Sequence, residues 1–63
     1  MYKWRFTMHV YVDGDYDREE IEVFRRDSKE LASINASSIL AKRNEGAEEG
    51  EKYEWYGLAR ISS

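Results

Sequence analysis

Three carboxylates stand at alternate positions, Asp13, Asp15 and Asp17. That spacing matches the first half of a calcium-binding loop, where alternate oxygens converge on one ion. Such a loop also needs Gly at its sixth position and Glu at its twelfth. Counted from Asp13, those positions hold Arg18 and Phe24. No dedicated cation site is expected, and with Gly14 the segment reads as a solvated hairpin turn. His9 is the sole imidazole, with Thr7 and Tyr11 two residues to either side and Glu20 or Glu22 placed to lie across from it. A general base needs a pocket and a positioned partner, and so small a chain offers little concavity; a surface histidine beside a carboxylate is the expectation. Ser33, Ser37 and Ser38 lack the glycines of a nucleophile elbow. Asn35-Ala36-Ser37 matches a glycosylation sequon but falls within a helical stretch.

The chain has 63 residues and no Cys, so disulfides and thiolate metal sites are excluded. One His leaves any zinc site to carboxylates, which is unusual for a structural site. These residues point to no enzyme, no metal and no cofactor. A chain of this length hides only about 60 % of the surface its unfolded form exposes, so packing or self-association has to supply the stability. The net charge of −3 gives no general attraction for nucleic acid. Acidic blocks at 13–22 and 44–54 flank a basic stretch at 23–43, a pattern suited to pairing within a fold. There is no signal pattern and no run near the roughly 20 apolar residues of a membrane span; a cytoplasmic location is expected, with no membrane partner.

The element that must position everything else is Tyr2–Val12. Its even positions, Tyr2, Trp4, Phe6, Met8, Val10 and Val12, are apolar; its odd positions, Lys3, Arg5, Thr7, His9 and Tyr11, are polar or amphipathic. Period-two alternation makes a strand with one dry face. After the turn at Asp13–Asp17, Arg18–Arg26 alternates again, with Ile21 and Val23 as its odd apolar positions. An even-length loop pairs Trp4 and Phe6 with Ile21 and Val23, and gives Arg5 a Glu neighbour. The period then changes. Asp27, or Ser28 as the alternative, caps a helix running to about Asn44, with Asn44 or Gly46 as a left-handed stop. Leu31, Ile34, Ser38 and Ala41 form one stripe, widened by Ala32, Ala36, Ile39 and Leu40. Ala47–Lys52 is a charged connector expected to be mobile, and Tyr53–Ile61 is a third strand, with Trp55, Ala59 and Ile61 chosen as its inner face.

The predicted fold is α+β: β-β-α-β, a three-stranded antiparallel sheet in order 2-1-3 with one helix on one face, in a single domain of residues 1–63. A right-handed crossover over the sheet requires that order. The other face then stays open to water. It is expected to carry Arg5, Tyr11, Phe24, Tyr56, Leu58 and Arg60, a mixture of Tyr, Arg and aliphatic groups that protein interfaces favour. The chain lacks an aromatic-Gly submotif, a Gly-x-x-Gly loop and a basic helix start. The leading expectation is a small non-enzymatic interaction or regulatory module. It would act on a protein partner through this face or through the third-strand edge, which is thinly guarded and could pair with a second copy as a homodimer. The alternative is a nucleic-acid-binding module using Lys3, Arg5 and Tyr11, although the intervening glutamates oppose phosphate.

Overall fold

The computed structural model describes residues 1–62; Ser63, the end of the span expected as one domain, lies outside the described residues. The elements are β1 (Tyr2–Val12), β2 (Asp15–Arg26), α1 (Lys29–Glu45) and β3 (Glu51–Ser62). The sheet is antiparallel throughout, in order β2-β1-β3, with α1 across one face. The architecture is the predicted α+β fold.

The even side chains of β1 are the interior. Phe6, Met8 and Val10 are fully buried and Trp4 nearly so. Complete burial of each such side chain contributes about 1.5–3 kcal/mol. Ala32 and Ala36 are the buried helix residues, and their small size brings α1 down onto Phe6 and Met8. Phe24, Ile39, Leu40, Ala47 and Leu58 close the margins of this cluster. Leu31 and Ile34, expected inside, are exposed. The inward stripe is instead Ala32, Ala36, Ile39, Leu40 and Arg43. Ser28 is the cap, its Oγ accepting from the Leu31 N–H at 3.3 Å. No left-handed stop forms at the other end, because Gly46 closes the helix at φ −92° and donates to the Lys42 and Asn44 carbonyls.

Two bulges decide which side chains share a face. Asp13 (φ 53°) and Gly14 (φ 87°) make a two-residue turn of the kind that suits hairpin twist. Its even length is as expected, and Val12 pairs with Asp15. The register then slips: Tyr11 pairs with Tyr16, but Val10 pairs with Arg18, leaving Asp17 as an extra residue. One extra residue inverts the face of every later side chain. Ile21 and Val23 therefore sit beside Thr7 and Arg5 on the open face, not beside Phe6 and Trp4. Arg18, Glu20, Glu22 and Phe24 point to the helix side, so Arg5 has no Glu across the ladder. A second slip, between Thr7 and Met8, makes Tyr56 the extra residue of β3. Trp55 is on the helix side, its ring 4.7 Å from that of Phe6, but it stays 41 % exposed and is not part of the buried interior. Beyond the bulge the inward residues are Leu58 and Arg60, while Ala59 moves to the open face opposite Arg5. Ile61 falls at a third irregularity, between the pairs of Lys3 and Trp4.

The inward glutamates of β2 are matched from the helix. Arg43 donates to both Glu20 and Glu22. Arg18 donates to Glu20 and Asp17 at 2.7 Å, to Glu51 at 3.0 Å and to the Tyr53 hydroxyl at 3.2 Å. The Arg18 hydrogen bond, followed by that of Arg43, holds the Glu20 carboxyl below its ordinary range against the opposing effect of burial. Glu22 and Glu20 in turn hold the Arg43 guanidinium charged.

The connector after α1 is tied down. Gly50 adopts φ 83°, and its carbonyl accepts from the Asp13 N–H at 2.8 Å. A Cβ at Gly50 would meet Asp13 Oδ1 at 2.3 Å. Next to it, Asn44 takes both backbone groups of Tyr53, accepting from its N–H at 2.8 Å and donating to its carbonyl at 2.9 Å.

Candidate protein-interaction face

The strand pairings lay the open face out in rows about 7 Å apart, two residues of extended chain each. Lys3 and Arg25 form the first row, and Val23, Arg5 and Ala59 the second. Ile21, Thr7 and Gly57 form the third, followed by Glu19, His9 and Glu54, then Tyr16, Tyr11 and Lys52. One end carries three cations, none ion-paired to a described residue. In the middle, Ile21 and Val23, each 49 % exposed, stand on β2, and Gly57 and Ala59 stand on β3, with Thr7 and Arg5 between them. Thr7, at the centre, is only 9 % exposed. The far end carries Glu19 and Glu54, with Asp13 and Asp15 just beyond at the hairpin tip and Lys52 as the local cation.

His9 sits in an aromatic nest at that acidic end. The Tyr56 ring stacks on it at 3.9 Å, and the edge of Tyr16 approaches at 5.1 Å. Its Nε2 lies 3.2 Å from Glu19 Oε2, so the carboxylate beside it is Glu19 and not Glu20 or Glu22. The bulge at Asp17 is the reason. Tyr56 reaches His9 because its own bulge turns it to this side. No pocket forms beside the imidazole among the described residues.

Three of the expected face residues, Arg5, Tyr11 and Tyr56, lie here. The other three do not. Phe24 and Leu58 pack against the core beneath the helix, and the Arg60 guanidinium covers the Tyr2 ring at 4.6 Å on the same side. The two register slips moved them. In their place stand Ile21, Val23 and Ala59, which unbroken alternation would put in the interior. The third-strand edge is closed at Tyr53 by Asn44, leaving only its later portion free. For nucleic acid, the cations Lys3, Arg5 and Arg25 are separated from Tyr11 and Tyr16 by the row of Ile21, Thr7 and Gly57 and by the row of Glu19, His9 and Glu54. No helix is long and apolar enough among the described residues to cross a membrane. No protein-family model, curated protein or solved structure matches this chain.

Proposed function

We propose that this chain is a small non-enzymatic interaction module that binds protein through its open sheet face. The observation that carries the reading is the exposed apolar pair Ile21 and Val23 on β2, facing the small residues Gly57 and Ala59 across Thr7 and Arg5, with the exposed ring of Tyr56 over His9 next to them. Isolated apolar side chains on a surface are ordinary, whereas neighbouring exposed apolar groups framed by charge are what interaction sites present. Tyr and Arg enrichment around it fits the same reading. The separation of cations from rings counts against stacking of single-stranded nucleic acid, which needs both along one track.

The test is a photo-crosslinking amino acid placed at Ile21 in the chain expressed in its own cells, with the same group at Ser37, exposed on the helix, as the control. Defined adducts from position 21, whether to this chain or to another protein, support the reading. Equal, diffuse labelling from both positions overturns it. Adducts to nucleic acid from position 21 overturn it in favour of the rival.

A further inference from the structure

We propose that the occupant of the open face is a second copy of this chain, packed face to face with its strands antiparallel to the first. This rests on the interaction reading above and names its partner.

The charge distribution selects both the partner and the orientation. The face is polarised along the strands, with Lys3, Arg5 and Arg25 at one end and Glu19 and Glu54 at the other, on either side of the Thr7 row. A two-fold axis parallel to the strands would lay cation on cation and carboxylate on carboxylate. A two-fold axis across the strands, through the Thr7 row, reverses one copy. Arg5 of each copy then lies over His9 of the other, between the flanking Glu19 and Glu54, and Arg25 lies over the ring of Tyr16. The central row meets itself, apolar on apolar. Every contact occurs twice, as a closed symmetric pair requires. Two sheets packed in this way sit about 10 Å apart with strands within about 30° of alignment, and twist accommodates the offset.

Covering the face would also bury Ile21, which a single copy leaves half exposed, against its own counterpart. Edge-to-edge pairing of β3 competes less well, because Asn44 already occupies part of that edge.

The test is a charge swap read by sedimentation over a concentration series. The unaltered chain is expected to be a dimer. Arg5→Glu alone sets like charges against Glu19 and Glu54 twice, and Glu19→Lys with Glu54→Lys sets like charges against Arg5 twice. Each altered chain is expected to dissociate at least about tenfold more readily. Mixed together they restore both attractive contacts, and a heterodimer near the original strength is expected. Circular dichroism of each altered chain confirms the fold, and Lys42→Glu, on the helix, serves as a charge control with no effect. A monomer at every concentration up to millimolar, or dimers indifferent to the swap, overturns this geometry. If the chain is monomeric while position 21 still crosslinks to another protein, self-association fails and the interaction reading survives.

Discussion

The side-chain amide of Asn44 takes the place of a neighbouring strand for Tyr53, accepting from its backbone N–H at 2.8 Å and donating to its carbonyl at 2.9 Å. The last full turn of α1 is thereby pinned to the outer edge of β3. Asn44 is exposed, so water can reach the two backbone groups once the amide is gone. Asn44→Ala should cost about 1–2 kcal/mol, with each of two hydrogen bonds contributing modestly. Urea unfolding at fixed chain concentration measures it. The uncovered edge should also raise the tendency to form higher oligomers, visible by light scattering.

Arg43 spans Glu20 and Glu22 from the inward stripe of the helix. All three side chains retain partial exposure, between 26 and 39 %, so screening limits what the pairs contribute. Arg43→Ala should still destabilise by about 1 kcal/mol, because Glu22 loses its partner and Glu20 is left with Arg18 alone. Arg43→Lys should recover less than half, since an ammonium lacks the fork that meets two acceptors at once. Full recovery by Lys would show that only the charge matters.

Glu20 has its carboxyl depressed in the folded chain, chiefly by Arg18. The stabilisation it provides is complete above the unfolded carboxylate value of about 4.3 and is lost as pH falls through the lower folded value. Arg18 and Arg43 are shifted upward and stay charged throughout, so they add no slope. The melting temperature should fall on acidification through and below that range, and less steeply in Glu20→Gln. Identical slopes for the two chains would remove Glu20 from the account.

Asp17 is the additional residue of the first bulge. Deleting it should leave Val10 opposite Arg18 and Thr7 opposite Ile21, because the two-residue turn then runs directly into regular pairing. The cross-strand nuclear Overhauser contacts between Thr7 and Ile21 are expected to persist, with a stability change within about 1 kcal/mol. A shift of the Thr7 contacts to Glu20 would show that the bulge does not set the register.

Much of the architecture was legible because it rests on periodicity. The alternation from Tyr2 to Val12, the change of period at Asp27 and the loop residues Asp13-Gly14 each have a direct physical meaning, and together they leave one order for three strands. The bulges were not legible, since parity arguments assume one residue per position and nothing in Tyr16-Asp17-Arg18 or Trp55-Tyr56-Gly57 announces an insertion. One sign was present. A helix whose small inward residues are Ala32 and Ala36 carries Arg43 on the same stripe, and a guanidinium turned toward a sheet needs carboxylates opposite it. Glu20 and Glu22 supply them only if Ile21 and Val23 face away. The bulge in β2 displaced Phe24 from the expected interaction face, and the bulge in β3 displaced Leu58 and Arg60.

The contact between Gly50 and Asp13 joins the two turns at one rim of the sheet. It sits beside the pairing of Val12 with Glu51, the shortest excursion in chain between β1 and β3, whereas Lys3 and Ser62 lie at the far limit of the same ladder. Closing the shorter loop costs less entropy, so once hairpin and helix have formed, the last strand should zip from this rim toward the chain ends. Fraying should run the opposite way, with amide exchange slowest near Val10 and Tyr53 and fastest near Lys3 and Ser62.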